Sequence, residues 1–310
     1  MEPAQIDRTP FADLDRIPPD LLTMLIAALE TMGNHPEIRK VRGAAWAVLR
    51  PEPGQRLLDA GCGGGHVARE LAAAVGPLGE VVALDSSTAT LATARDHHDG
   101  SPVRYVTGDV SALDLADDSF DGVWCERVLQ HVVLPDVAID ELIRVTRPGG
   151  RICLIDTDWR SLAFDGVPEH LAAVVAADMH SRFDGEQGII GRTLRRRLVA
   201  AGLTDVTAVP VTCLFDSPQS AAVVLPMANP EVPADSWSAT PDERGDWFAA
   251  VDAAGVRGEF LAVLTIWAVA GTVPAAGRHA GGPAAVSSVP AGAASAPAAV
   301  SVPDRDHGAQ

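Results

Sequence analysis

The sequence predicts an α/β protein built on a doubly wound, mainly parallel sheet of seven strands with helices on both faces. Two observations carry this prediction. Short apolar runs alternate with segments of helical period between residues 56 and 271, which is the order of a parallel sheet with crossover helices. In addition, the first apolar run ends at a cluster of glycines, where a parallel strand commonly turns into its helix.

The strands are expected where the apolar runs are short and continuous, as in a sheet buried on both faces. They span residues 56–60, 80–85, 103–109, 121–126, 151–157, 206–215 and 259–271. Helices are predicted over residues 66–75, 88–98, 135–146, 191–202 and 243–254. Ser86 or Ser87 is suited to cap the second of these helices, and Pro148 with the two glycines that follow stops the third.

Composition excludes several classes of function. The formal net charge of −17 is a poor match for nucleic-acid phosphates and for anionic membranes, and no apolar run reaches the ~18 residues of a transmembrane helix. The first residues lack the basic and apolar parts of a secretory signal. The four cysteines have no close pairwise spacing, so we expect reduced thiols, a cytoplasmic setting and no metal site. The sequence leaves the oligomeric state undetermined.

The expected organisation is one domain between two loose ends. Residues 1–18 are predicted to be flexible, and residues 275–310 are predicted to be disordered because they contain no leucine, isoleucine or aromatic residue. Residues 19–274 form the domain. It comprises an N-terminal helical cover (19–50), a cofactor-binding core (51–160), and an acceptor-side and sheet-closing part (161–274).

Acidic residues stand at the ends of the first five predicted strands. They are Asp59, Asp85, Asp109, Asp156 and, directly after Cys125, Glu126. The carboxyl ends of parallel strands meet at one edge of the sheet, where such folds bind their ligands. A row of acceptors at that edge suits a ligand rich in donors, such as ribose hydroxyls or an exocyclic amine.

The glycine loop itself is compatible with two cofactor classes. The dinucleotide pattern G-x-G-x-x-G/A fails from Gly61, because His66 occupies the third glycine position, but it matches from Gly63 through Gly65 to Ala68. Asp85 then follows at a suitable distance for a ribose. A nicotinamide cofactor therefore remains open on the loop alone, beside S-adenosylmethionine.

Five motifs in order over residues 50–160 resemble the class I S-adenosylmethionine-dependent methyltransferases, in particular the small-molecule, quinone-biosynthesis-like type. They read DAGCGGG at 59–65, VVALDSS at 81–87, GDV at 108–110, SFDGVWCERVLQHV at 119–132 and RVTRPGGRICLID at 144–156. The resemblance implies a Rossmann-like fold whose last hairpin is antiparallel, with S-adenosyl-L-methionine as cofactor. The cofactor-binding residues it implies are Asp59, Gly61, Gly63, Gly65, Asp85, Ser86, Gly108, Asp109, Val110, Cys125, Glu126 and Arg127.

Candidate catalytic residues follow the fourth strand, at the sulfonium end of the cofactor in this fold. His131 has a pKa suited to a general base, and Glu126 stands near it in sequence. Four residues are expected to line the acceptor pocket: Asp156, Asp158, Trp159 and His180. The segment 158–190 has few aromatic residues and several alanines and valines, which favours an apolar acceptor.

The predicted function is methyl transfer to the oxygen, nitrogen or carbon of a small molecule, such as a secondary metabolite or a quinone-like intermediate. One alternative is an S-adenosylmethionine-binding enzyme that does not methylate, for example a cyclase on the same fold. A second alternative is a nicotinamide-dependent oxidoreductase.

Overall fold

A computed structural model describes residue 15 and residues 19–97, 99–183, 185–233 and 237–275. The strands are β1 Arg56–Ala60, β2 Glu80–Asp85, β3 Val103–Thr107, β4 Phe120–Glu126, β5 Thr146–Asp165, β6 Thr204–Phe215 and β7 Leu261–Thr272. The helices are α1 Pro19–Asn34, α2 Pro36–Leu49, α3 His66–Val75, α4 Thr88–Asp96, α5 Pro135–Val145, α6 Glu169–Arg182, α7 Ile190–Ala200, α8 Pro218–Val224 and α9 Pro241–Arg257. The flexible N-terminus predicted for 1–18 and the tail predicted for 275–310 fall almost entirely outside the described residues.

The seven strands form one sheet in the order β3-β2-β1-β4-β5-β7-β6. Neighbours from β3 to β5 are parallel, whereas β7 lies antiparallel between β5 and β6. The predicted fold class is therefore confirmed. The chain runs outward from β1 to β3 and then returns to place β4 on the other side of β1. Such a reversal opens a crevice at the carboxyl ends of the strands.

Helices cover both faces of the sheet, so two apolar layers form. Neighbouring residues of β1 show the division, because Leu57 packs in the layer of α2 and α3, whereas Leu58 packs in the layer of α5 and α7. Both leucines are fully buried. This explains why the strand sequences are continuously apolar instead of alternating.

Two elements differ from the prediction. Strand β5 extends well beyond the predicted 151–157, with a register shift between Asp158 and Ala163 where it pairs with β7. The final strands β6 and β7 are antiparallel, as expected, and the helix predicted at 243–254 lies between them as α9, but α8 is a further helix that was not predicted there. Among the described residues, none of the helices is both long enough and apolar enough to cross a bilayer.

Candidate functional site

The loop between β1 and α3 turns sharply over the end of β2. Gly61 and Cys62 both donate their backbone N–H groups to the carbonyl of Leu84, at 2.7 and 2.9 Å. Gly61 and Gly63 adopt φ angles of 80° and 50°, in the left-handed region that favours glycine. The sequence therefore needs glycines here partly for the backbone itself.

The two glycines differ in what surrounds them. A Cβ on Gly61 would lie 2.2 Å from a methyl carbon of Val128, so this glycine permits the loop to pack on the segment after β4. A Cβ on Gly63 would meet no atom within 4 Å. Gly65, with φ of 73°, is the N-cap of α3, and a Cβ there would meet the ring of Tyr105 at 2.8 Å. Gly63 is thus the glycine of the three that borders open space.

Asp59, near the end of β1, is a buried carboxyl group with an unused acceptor. Its side chain is 2% exposed, and Oδ2 has no hydrogen-bond partner among the described residues. The backbone N–H of Ala68 in α3 donates to this carboxyl group. Burial, followed by the negative charge of Glu126, raises the pKa of Asp59 to about 8 from the ordinary 3.8. Such an acceptor suits a bound cation or a strong donor.

Asp85, at the end of β2, orders the glycine loop and the start of α4. Its Oδ2 accepts from the N–H of Gly63 at 2.8 Å, and its Oδ1 accepts from the N–H of Ser87 at 2.9 Å. The hydroxyl of Thr90 donates to the same Oδ1 at 3.3 Å. A carboxylate has about four lone-pair sites, so Asp85 retains acceptor capacity on its half-buried side.

Asp109 follows β3 and lies in an exposed turn. Its Oδ1 accepts from the N–H of Ser111 at 2.8 Å, and its carbonyl accepts from Ala112. Gly108 donates its N–H to the carbonyl of Asp85 at 3.0 Å. The ends of β2 and β3 are thereby joined, and both predicted acidic residues lie on the same edge.

Three other predicted cofactor residues have less distinct surroundings. Ser86 is exposed, and Ser87 instead caps α4 by accepting from the N–H of Thr90. Val110 and Cys125 are buried in the apolar layer under α5. Their side chains contribute packing there, so only their backbones remain as candidates for a ligand.

Glu126, at the end of β4, is engaged in a buried ion pair. Its carboxylate accepts from Nε of Arg42 in α2 at 2.9 Å and from the indole N–H of Trp124 at 3.3 Å. Burial opposes ionisation, but Arg42 and Arg127 outweigh it and keep the pKa of Glu126 below its ordinary value. Arg42 also donates to the carbonyl of Gly33 at the end of α1. The catalytic role of Glu126 stays a prediction; the structure shows a paired carboxylate that anchors α1 and α2, and a carboxylate with a lowered pKa is a poor proton acceptor.

Arg127 adopts a φ of 55°, an uncommon conformation for a residue with a side chain. Its N–H donates to the carbonyl of Ile155 at 2.7 Å, and its guanidinium contacts the sulfur of Met32. Its Nε atom has no hydrogen-bond acceptor in the described residues, and the Glu126 carboxylate lies 3.8 Å away. Arg127 thus contacts α1 beside the predicted cofactor edge.

His131 lies just beyond β4 in a short turn, Leu129–His131. Burial, together with the charge of Arg127, lowers the pKa of His131 to about 4. Its Nε2 atom lies 3.1 Å from Nε2 of Gln130, and its ring centroid is 6.1 Å from that of Phe183. An imidazole with this pKa is neutral at physiological pH and a weak base. The structure therefore weakens the assignment of His131 as the general base.

Trp159 and Asp156 also contact Gln130 instead of opening onto a pocket. The indole N–H of Trp159 donates to Oε1 of Gln130 at 2.9 Å, and the Trp159 ring stacks on Phe183 with centroids 5.0 Å apart. Asp156 accepts from the backbone N–H of Gln130 at 3.1 Å and from that of Thr157 at 2.9 Å. Burial raises the pKa of Asp156 to about 7. Asp156 thus supports the turn after β4, and its predicted place in the acceptor pocket stays a prediction.

The two remaining predicted pocket residues lie apart from this group. Asp158 is buried and forms a two-pronged ion pair with Arg192 in α7, one bond of which measures 2.8 Å. His180 is exposed on α6. The structure thus engages Asp158 in joining β5 to α7 and leaves His180 at the surface, so neither position supports a contact with an acceptor.

Sequence reasoning missed Gln130 and Phe183. Both are buried between the ends of β4 and β5 and the end of α6, and they join His131 to Trp159. No sequence motif marks a glutamine in a turn or a phenylalanine after a helix. Their roles emerge from contacts between segments about 30 to 50 residues apart.

Two cavities lie beside α3. One, of about 260 Å³, is lined by Glu30, Asn34, His66, Arg69 and His97. The other, of about 360 Å³, is lined by Arg39, Arg42, Gly43, Trp46, Glu70 and Ala73. Neither includes the strand-end aspartates. The strand ends, with the open space at Gly63, remain the better candidate because the acidic groups and the glycine loop converge there.

The chain is similar to known proteins in sequence and in fold. The sequence profile of a family described as "Methyltransferase domain" matches residues 58–154. The chain is 35% identical over 201 residues to an uncharacterised 37.1 kDa protein of transposon TN4556 from Streptomyces fradiae, covering 64% of this chain and 58% of that protein. It is 36% identical over 130 residues to a 2-phytyl-1,4-naphtoquinone methyltransferase from Synechocystis, covering 41% and 53%. The chain thus spans little more than half the length of these curated relatives.

A solved structure shows the same fold. Phosphoethanolamine N-methyltransferase 2 of Haemonchus contortus, in complex with S-adenosyl-L-methionine, superposes with a TM-score of 0.54 at 17% sequence identity. The match covers 86% of this chain and 60% of that one. At this level of identity the similarity concerns the fold.

Proposed function

We propose that the protein is a class I S-adenosylmethionine-dependent methyltransferase, as the order of its motifs predicts, and that it transfers a methyl group to a small-molecule acceptor; the methyltransferase domain profile that matches residues 58–154 supports this. The observation that carries the proposal is the unpartnered Oδ2 of Asp59 beside the glycine loop. A buried carboxyl oxygen without a donor suits the ammonium group of the methionine part of the cofactor. The open space at Gly63 supports the same placement.

The chain's own residues would bind the cofactor along the strand ends. Asp59 would hold the ammonium group, the half-buried carboxylate of Asp85 would accept from the ribose hydroxyls, and Asp109 would accept from the adenine amine. When bound, the cofactor supplies an activated methyl group on a sulfonium. The protein's task is then to hold the acceptor close and aligned, because positioning lowers the barrier for such a displacement.

The Glu126 and Arg42 pair would close the cofactor edge. Because Arg42 also binds the carbonyl of Gly33, it fixes the end of α1 and the middle of α2 near the end of β4. Helices held in this way exclude water from the strand ends and so strengthen the charge interactions there.

The acceptor we propose is small and largely apolar, such as a quinone-like aromatic compound. The buried, stacked rings of Trp159 and Phe183 make the surroundings of the turn after β4 apolar. The activity named for the Synechocystis relative also favours an aromatic acceptor. The net charge of −17 argues against polyanionic acceptors.

We also propose a cellular setting and a domain organisation. The four cysteines, Cys62, Cys125, Cys153 and Cys213, stand unpaired, which agrees with a reducing cytoplasmic setting. We also retain residues 19–274 as the functional domain, with 19–50 as its cover and 161–274 as its acceptor-side part.

The test has two stages. The purified protein is titrated by calorimetry with S-adenosylhomocysteine and, separately, with NAD, and we expect binding of the first only. It is then incubated with S-adenosylmethionine and a panel of reduced naphthoquinones and phenols, and the products are weighed by mass spectrometry. Gain of one methylene unit supports methyl transfer. Rearrangement without a change of mass would favour the cyclase alternative, and binding of NAD alone would overturn the proposal.

A further inference from the structure

The side chain and backbone of Gln130 connect three residues at the ends of β4 and β5. Its Oε1 accepts from the indole N–H of Trp159 at 2.9 Å, and its backbone N–H donates to Oδ2 of Asp156 at 3.1 Å. Its Nε2 lies 3.1 Å from Nε2 of His131. Gln130 is only 7% exposed, so its contacts within the protein determine its orientation.

The chemistry of these groups determines where the protons lie. An indole N–H can only donate, so the oxygen of the Gln130 amide must face Trp159 and its NH₂ group must face His131. An amide NH₂ can also only donate, and its second hydrogen points toward the carbonyl of Arg127 at 3.5 Å. Nε2 of His131 must therefore accept. In a neutral imidazole, the single proton then resides on Nδ1.

The surroundings of His131 favour the same protonation state. The ring lies beside Phe183, and the positive charge of Arg127 disfavours a second positive charge on it. Asp156 accepts from the backbone N–H groups of Gln130 and Thr157. Burial and the charge of Arg127 place the pKa of His131 near 4, consistent with a neutral ring.

We propose that Gln130 is a positioning residue of the transferase, which holds His131 as a neutral imidazole with its proton on Nδ1 and keeps Nε2 from accepting a proton from the acceptor. This inference rests on the proposed function. It predicts a particular class of acceptor: one whose attacking atom is already anionic near neutral pH, such as an acidic phenol or an enolised carbon. The acceptor's own electron pair forms the new bond to the methyl carbon, the sulfur keeps the pair of the broken bond, and no proton passes to His131.

The sharpest test uses the near-isosteric substitution Gln130→Glu. A glutamate still accepts from Trp159 but turns a second acceptor toward Nε2 of His131, so that nitrogen must then carry a proton. In ¹⁵N-histidine spectra, with His131 assigned by His131→Asn, the wild-type signal should show the Nδ1-protonated tautomer and stay neutral from pH 5 to 8. In Gln130→Glu its pKa should rise from about 4 to at least the 6.5 of a free imidazole.

A second variant covers the case in which Gln130→Glu does not fold. Trp159→Phe keeps the ring stack but removes the indole N–H, so the amide of Gln130 can turn over and the Nε2-protonated tautomer should become populated. A wild-type His131 that is protonated on Nε2, or that titrates above pH 6, overturns the inference. S-adenosylhomocysteine binding is measured on the same samples, so failure of the proposed function is recognised separately.

Turnover on two acceptors tests the acceptor class. For an acidic phenol that is ionised at pH 7, deprotonation of His131 should cause no increase in the rate of methylation between pH 5 and 8. A matched phenol of ordinary acidity should react at least tenfold more slowly. Equal rates for the two phenols at pH 7 would contradict the inference.

Discussion

The carboxyl edge of the sheet has two halves that treat their polar groups differently. At the ends of β1 to β3, Asp59 keeps an unpartnered oxygen and Asp85 keeps acceptor capacity. At the ends of β4 and β5, Glu126, Asp156 and Asp158 are satisfied by the protein's own donors. The first half thus offers free acceptors for the polar ligand that we propose, whereas the second half contains satisfied carboxylates beside the buried rings of Trp159 and Phe183. The difference supports the proposal that the cofactor binds at the ends of β1 to β3, whereas the ends of β4 and β5 position the residues around the acceptor.

The largest expected effect comes from the two glycines of the first half. Gly61→Ala places a Cβ 2.2 Å from Val128 at a φ of 80°, so we expect a loss of about 2–4 kcal/mol in the free energy of unfolding. Gly63→Ala is the matched control, since its Cβ meets no protein atom and only backbone strain of about 1 kcal/mol remains. Urea denaturation measures both variants.

The same two variants, Gly61→Ala and Gly63→Ala, also test where the cofactor binds. Gly63→Ala should fold but bind S-adenosylhomocysteine more weakly, because its Cβ would enter the space we assign to that ligand. Unchanged affinity for Gly63→Ala would show that the ligand lies elsewhere, and the contrast between the two halves would then lose its functional meaning.

The next effect concerns Asp85. Asp85→Asn keeps one oxygen but loses the charge, so hydrogen bonds to ribose hydroxyls should weaken and Kd for S-adenosylhomocysteine should rise about tenfold to a hundredfold. Asp156→Asn, in the second half, is the comparison variant and should leave this Kd within about threefold. Calorimetric titration of both variants decides the point, and an equal loss in both would contradict the division.

The affinity for S-adenosylhomocysteine should depend on pH through Asp59, in the first half of the edge. Below about pH 8 Asp59 is protonated in the ligand-free protein, so a cationic ligand must displace that proton. Affinity should therefore rise about tenfold per pH unit up to about pH 8 and then level off. Calorimetry in buffers of different ionisation enthalpy should detect release of a proton at pH 7. Asp59→Asn should bind weakly and without pH dependence; a pH-independent wild type would contradict the assignment.

The free energy of unfolding of the ligand-free protein should fall as the pH rises, whereas the affinity for the ligand should rise, and both effects arise from Asp59. Because the pKa is raised in the folded protein, from 3.8 to about 8, the folded state binds more protons, and stability falls as pH rises through that interval. Asp59→Asn removes this cost and should stabilise the ligand-free protein by about 1–3 kcal/mol at neutral pH. Thermal unfolding at pH 5 and pH 8 checks the sign, since the gain should be larger at pH 8.

The smallest effect is expected at His180. Its side chain is exposed on α6, so His180→Ala should change stability by less than about 0.5 kcal/mol and leave turnover at the wild-type level. A marked fall in turnover at constant S-adenosylhomocysteine affinity would return His180 to the acceptor site.

The first half of the edge was predictable because its features are local. Strand β1, the glycine loop and α3 follow one another within 20 residues, and the left-handed φ angles of Gly61 and Gly63 follow from residue type. The ends of β2 and β3 repeat the pattern of an apolar run followed by an aspartate. The second half was predicted in position but not in role, since the donors for Glu126 and Asp158 come from α2 and α7.

By itself, the sequence determined the succession of strands and helices along the chain, the acidic residues at the strand ends and the glycine loop, because each depends on apolar periodicity and on backbone freedom over a few residues. Only the tertiary structure decided which carboxyl groups the protein's own donors satisfy, that burial and Arg127 lower the pKa of His131, and that Gln130 contacts both His131 and Trp159. Those properties depend on burial and on donors brought from distant segments, and a pKa or a tautomer is fixed by such neighbours in space.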